Sequence, residues 1–317
     1  MGILYYLLST CFGSLANILG QYFKKVGAFE GYNLMDIYFH IDFINLAVFF
    51  FIFLISKRRG SVNFSLKETF LRKEEIFLIF IFAIPILAAA YKTYMMDSMH
   101  LADIEISTMI KPFCVWGLAI IFLGEKFYLF YVTYGLLAVT GFLIVNRELI
   151  PFSWNWSTGN MSFSTSDYPN TNIQFLLRYL ALGSIGDVTR RVYCLKCKAT
   201  MQAVCVEFVM FALYGIIFLL VRGTFSLKIL FSPYALFVSL ITILHHFCLI
   251  YGVQRAHSVT SLEFVNFSKI VFTIIFSYLI LGYDIPRHKL AGAVVIAVTL
   301  IFFNRRLSKL QDKQKKV

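Results

Sequence analysis

Charge is what this chain has least of. Only 15% of its 317 residues are Asp, Glu, Lys or Arg, against 59% hydrophobic. A soluble domain runs near a quarter charged and at most about half apolar, so the shortage excludes a large water-facing surface and makes lipid the main solvent. Proline is also scarce, at six residues, which leaves long helices uninterrupted. The apolar run from Met1 to Tyr22 lacks a basic residue before it and a small-x-small cleavage site after it. It therefore reads as a first membrane helix, not a cleaved leader. The six cysteines form no disulfide set. Cys11, Cys114, Cys205 and Cys248 fall in apolar stretches, where Cys acts as a small hydrophobe. Cys194 and Cys197 make a CLKC in a short basic loop, without the second ligand pair that a metal site needs. No metal and no cofactor is expected. A membrane-embedded enzyme would need a clustered nucleophile, a metal set or a phosphate loop. No DxxD or HxxxH pair stands at a membrane face, and His245–His246 is the nearest candidate; the chain is read as no enzyme.

What fills the chain is apolar runs long enough to cross a bilayer, about 20 residues each. Ten spans are predicted: 2–22, 35–56, 75–96, 102–123, 127–146, 173–193, 200–221, 232–253, 258–282 and 288–304. Basic residues crowd the alternate loops and the tail (Lys57, Arg58, Arg59, Lys126, Arg190, Arg191, Lys196 and the run from Arg305) and thin out elsewhere. The positive-inside rule then puts both termini in the cytoplasm. The net charge of +12 is thus a topology signal, and no nucleic-acid partner is expected. The lipid bilayer is the expected partner, with the basic tail touching anionic lipid. Two glycosylation sequons, at Asn155 and Asn160, fall in the outer loop 148–172. The tail's KQKKV resembles a retrieval signal, so the membrane is either a bacterial inner membrane or a eukaryotic Golgi, ER or plasma membrane.

The chain also resembles itself. Shifted by 158 positions, Glu105 falls on Glu263, Lys111 on Lys269, Leu123–Gly124 on Leu281–Gly282 and Asn146–Arg147 on Asn304–Arg305. Near the start of each half the offset is 170, where GSLAN (13–17) meets GSIGD (183–187). Each half holds five spans. An odd number threads the copies in opposite directions, the inverted repeat common among secondary transporters. The predicted fold is an all-α membrane protein of ten transmembrane helices: a first repeat over 1–147, an outer linker over 148–172, a second repeat over 173–305 and a basic cytoplasmic tail over 306–317.

The charges inside the spans are the functional candidates, because each is expensive at mid-bilayer, about 2.5–3.5 kcal/mol on insertion scales. Lys111 and Lys269 sit near mid-depth of the fourth and ninth spans. Glu105 and Glu263 lie six residues earlier, about 240° around their helices, poorly placed to bridge them and directed toward opposite surfaces. Each lysine therefore needs a carboxylate on another helix, a wet cavity or a substrate anion. Lys92, Arg178, Asp187, Glu207, His245 and His246 are further polar groups in the spans, each read either as a satisfied interhelical hydrogen bond or as a substrate contact. Adjacent histidines point in different directions, and one of the pair suits a proton carrier. Pro112 frees a carbonyl near Thr108, which would bend the helix or line a cavity. Gly135, Gly141 and Gly292 suit close helix packing or a homodimer face.

FLGEKFYLFYVTYGLLAVTGFLIVN (122–146), preceded by MHLADIEISTMIKPF, resembles the EamA-type signature of the drug/metabolite transporter superfamily. The second copy, LILGYDIPRHKLAGAVVIAVTLIFFN, fits as well but has Tyr283 where the acidic residue is usual. The twin lysines are similar, distantly, to those of the solute carrier 35 and triose-phosphate branch. The resemblance implies a central cavity, alternating access and a small polar solute, anionic or zwitterionic, with cationic solutes open as well. On that reading Lys111, Lys269, Arg178 and Asn266 bind substrate, and Glu105, Glu263, Asp187, Glu207 and His245 gate or couple. A scaffold or receptor without transport is the alternative class.

Overall fold

A computed structural model describes residues 2–60, 83–85, 87–88, 91, 101–126, 128–145, 152–155, 160–163, 173–197 and 199–314, though not every side chain within them. Helices dominate. They are α1 (Gly2–Lys25), α2 (Leu34–Arg58), α3 (Leu101–Leu123), α4 (Leu129–Val145), α5 (Ile173–Lys196), α6 (Thr200–Arg222), the single turn α7 (Leu227–Leu230), α8 (Pro233–Arg255), α9 (Val259–Asn266), α10 (Ser268–Leu281) and α11 (Arg287–Gln314). Among the described residues six helical stretches are long and apolar enough to cross a membrane: α1, α2, α6, α8, Val259–Leu281 and Arg287–Leu310. Helix α5 is not among them. It carries Arg178, Asp187, Arg190, Arg191 and Lys196, and it is the helix around which the polar interior is built.

One expectation changes, at the end of α5. The ninth span holds as one apolar stretch, Val259–Leu281, in which the single turn residue Phe267 between α9 and α10 keeps right-handed backbone (φ −59°, ψ −25°). There the backbone tightens to three-residue hydrogen bonds, Phe267 N to Phe264 O and Ile270 N to Phe267 O. Beside it Asn266 Nδ2 donates to Glu263 Oε2 (3.0 Å), and the Ser268 hydroxyl meets Thr10 Oγ1 (2.8 Å). Arg190, Arg191 and Cys194, read above as loop residues, lie in the last turns of α5, with Arg191 and Cys194 buried. The basic segment from 306 continues the last helix, because α11 runs to Gln314. The segment between α4 and α5 adds an antiparallel hairpin, β1 (Phe152–Asn155) on β2 (Asn160–Phe163), which pairs Asn155 with Asn160.

The helices pack in pairs: α1 against α8 and α10, α2 against α6, α3 against α5, and α4 against α11. Small residues set the last contact. A Cβ at Gly292 would stand 2.4 Å from the Gly141 carbonyl oxygen, so only glycine lets these backbones approach. The ends of α3 and α10 finish alike. Gly124 and Gly282 adopt left-handed backbone (φ 64° and 67°), and the following N–H reaches back, Glu125 to Ala119 O and Tyr283 to Ser277 O (3.2 and 3.4 Å). A left-handed glycine with a back-reaching amide is the Schellman way of ending a helix. Gly2 packs on Arg255 and Ala256, whereas Lys25, at the other end of α1, lies over the Tyr283 ring. The start of α1 and the end of α11 are therefore at the same end of the bundle.

Candidate functional site

Five helices deliver charge to one largely buried chain of contacts. Lys111 of α3 forms an ion pair with Asp187 of α5, and its Nζ lies 3.8 Å from Glu263 Oε2 of α9. Asp187 also takes Arg190, three residues on (3.2 Å). Arg190 reaches Glu207 of α6 (3.4 Å), and Glu207's second oxygen lies 3.1 Å from His246 Nδ1 of α8. Acid and base alternate from Glu263 to His246. Glu207 and Glu263 are 0% and 1% exposed, so neither charge is relieved by water. The cost of burying such groups is met only by partners. The His246 ring is wedged edge-on between Phe208 and Phe211. Asp42 of α2 lies within electrostatic reach of His246 and Glu207.

Local sequence explains the convergence. Asp187 and Arg190, spaced i and i+3, share one face of α5. Gly183, one turn earlier, leaves room for the lysine: a Cβ there would lie 3.2 Å from Lys111 Cδ. Ser184 is buried, and its hydroxyl has no hydrogen-bond partner among the described residues. Arg190 Nε is likewise buried without a hydrogen bond. The site is polar beyond what its own hydrogen bonds satisfy among the described residues.

The candidates divide on this geometry. Lys111, Asp187, Glu207, Glu263 and Asn266 come together. Glu263 sits beside Lys111, because the lysine reaches across from another helix. Lys269 belongs to a second polar seam, along α1. There Ser14 Oγ donates to the Lys269 carbonyl (3.2 Å), His245 contacts the Ser9 hydroxyl (2.9 Å), and Asn17 Oδ1 accepts from Tyr38 (3.2 Å). Lys269 is itself within electrostatic reach of His245. Arg178 lies toward the opposite end of α5, exposed. The side chains of Glu105 and Lys92 lie outside the described residues. Sequence reasoning took Arg190 for a loop charge and ranked His245 above His246. The Asp187–Arg190 spacing was the signal that would have found the arginine.

No family model matches the chain, and no curated protein matches it. The fold recurs among solved structures. One crystal structure, described only as that of a protein, matches with a TM-score of 0.64 over 92% of this chain and 95% of its own, at 12% identity. Identity that low carries a likeness of fold and nothing about activity.

Proposed function

We propose that the chain is a ten-span secondary transporter of the drug/metabolite transporter type, with its two five-helix halves inverted, not a membrane-embedded enzyme or scaffold. It would move a small polar solute by alternating access. The observation that carries the reading is the buried chain Glu263–Lys111–Asp187–Arg190–Glu207–His246. Ionisable groups amid membrane helices are costly and mark solute or ion pathways. Helix pairing supports the inverted halves. The second, fourth and fifth spans each pack on their own counterparts, the seventh, ninth and tenth, while α3 on α5 is matched by α10 on α1. A two-fold axis in the membrane plane would produce that set. The matched ends of α3 and α10 fit as well.

The chain's composition bears on the solute. Lys111 is already engaged by two carboxylates, and with His246 neutral Asp187, Glu207 and Glu263 outnumber Lys111 and Arg190. A positively charged group offsets that surplus better than a phosphate would, so a zwitterionic or cationic solute is favoured over a plain anion. Purified protein in proteoliposomes should accumulate or exchange an amino acid, a polyamine or S-adenosylmethionine from a panel that also holds sugar phosphates and nucleotide sugars. Exchange of the phosphorylated compounds alone would reverse the charge argument. No exchange of any of them, with folded protein, would remove the support for transport.

A further inference from the structure

The corner joining α8 to α9, residues 255–258, is held from both sides by charges of complementary sign. Helix α8 ends there, exposing carbonyls, and the Arg191 guanidinium of α5 donates to Val253 O and Ala256 O. Helix α9 begins there, exposing amides, and the Glu125 carboxylate accepts from Val259 N (2.6 Å), Thr260 N (3.2 Å) and Thr260 Oγ1 (2.7 Å). A cation on a helix C-terminus and an anion on a helix N-terminus both act with the helix dipole, and both satisfy backbone groups that a helix end leaves open. Gln254 adds a third tie, donating to Cys194 O (3.2 Å) while accepting from Thr200 Oγ1 (2.6 Å). Glu125 follows the end of α3 and Arg191 is in α5. The mutually packed α3 and α5 therefore grip the rest of the bundle at the end that carries both termini.

At the opposite end the counterparts of these two charges are uncharged. Under the offsets of the internal repeat, Glu125 corresponds to Tyr283 and Arg191 to Gln21. Tyr283 is 53% exposed and meets Lys25 by its ring. Neither counterpart carries a charge that could hold a helix end.

We propose that Glu125 and Arg191 form a clasp that shuts the bundle at the end bearing the termini, and that closure there is the resting state because the corresponding positions at the other end, Tyr283 and Gln21, carry no charge. The proposal rests on the alternating-access reading, because a clasp matters only if the corner must move. Residues 255–258 leave the clasp when that end opens, and the wall around Cys194, 1% exposed and three residues from Arg191, is uncovered.

The test uses the full chain in sealed vesicles of one orientation, with a membrane-impermeant maleimide added on the side of the termini and Cys194 labelling read by peptide mass spectrometry. Glu125→Gln removes the charge and keeps the size; Glu125→Asp keeps the charge. Losing charge-assisted hydrogen bonds to buried amides shifts such an equilibrium by about tenfold or more. Well below the unfolding temperature, Glu125→Gln is expected to label Cys194 about tenfold faster than wild type, with Glu125→Asp closer to wild type. Unchanged labelling in Glu125→Gln, with only a lower unfolding temperature, would overturn the proposal and leave Glu125 a static helix cap. Faster labelling in a protein that exchanges no solute would support the clasp and count against the transport reading. Unchanged labelling with intact exchange would do the reverse.

Discussion

At the scale of single residues the interior is decided by which charges share partners. Lys111 serves both Asp187 and Glu263, so removing it strands two carboxylates. Breaking a buried pair costs about 3–5 kcal/mol because the remaining charge is left uncompensated. Lys111→Gln should therefore destabilise the purified protein by about that amount, read by unfolding in detergent. Adding Asp187→Asn should recover part of the loss, so that the double variant is more stable than Lys111→Gln alone. Additive losses would mean that the two side chains do not interact. This also governs how transport variants are read: a Lys111→Gln protein that transports poorly is informative only beside the rescued double variant. The polar candidates were legible in the sequence because charge is rare in these spans, but their partners were not. Sequence placed Glu105 and Glu263 by helical angle relative to the lysine of the same helix. Lys111 instead found Glu263 on α9, a contact that only tertiary packing creates.

Among the helices, length and position were readable and interruptions were not. The described helix ends fall close to the expected spans, as for Leu34–Arg58 against 35–56 and Pro233–Arg255 against 232–253, because apolar length in a bilayer is fixed by its thickness. The turn at Phe267 was invisible, since no Pro or Gly marks it and the partner of the Ser268 hydroxyl, Thr10, comes from α1. The glycine contact between α4 and α11 shows the opposite case, a sequence signal with a definite structural meaning. Gly292→Ala would set a methyl group 2.4 Å from a backbone oxygen, and a backbone cannot yield as a side chain can. The helices must part, at a cost of about 1–3 kcal/mol by analogy with overpacked cores. A lowered unfolding temperature, with Gly117→Ala as the control because nothing lies within 4 Å of the added carbon, is the expected result. Equal stability of the two variants would show that α4 and α11 do not pack this closely.

For the molecule as a whole, symmetry makes the strongest demand. If the halves are inverted copies, the contact between Lys111 and Glu263 requires its counterpart between Lys269 and Glu105. A double-mutant cycle on Lys269→Gln and Glu105→Gln should then give a coupling of about 0.5–3 kcal/mol in unfolding stability, of the same sign as for Lys111 and Glu263. Zero coupling at the second pair would confine the arrangement to one half. The counterparts Asp187 and Asn17 already differ in charge, which fits Lys269 having a different neighbourhood from Lys111 along α1. Alternating access adds a kinetic demand: the chamber around Lys111 must be wetted from each side in turn. Ser184, buried one turn from Asp187, is a minimal reporter, since Ser184→Cys changes one atom. The decisive measurement is its labelling in sealed vesicles by an impermeant thiol reagent applied to one face and then to the other. Labelling from both faces, with reagent on one face slowing when the clasp of Glu125 is intact and quickening when it is removed, is the predicted result. A cysteine at 184 that stays unreactive from both faces in folded protein would contradict a solute chamber at the ion-pair chain.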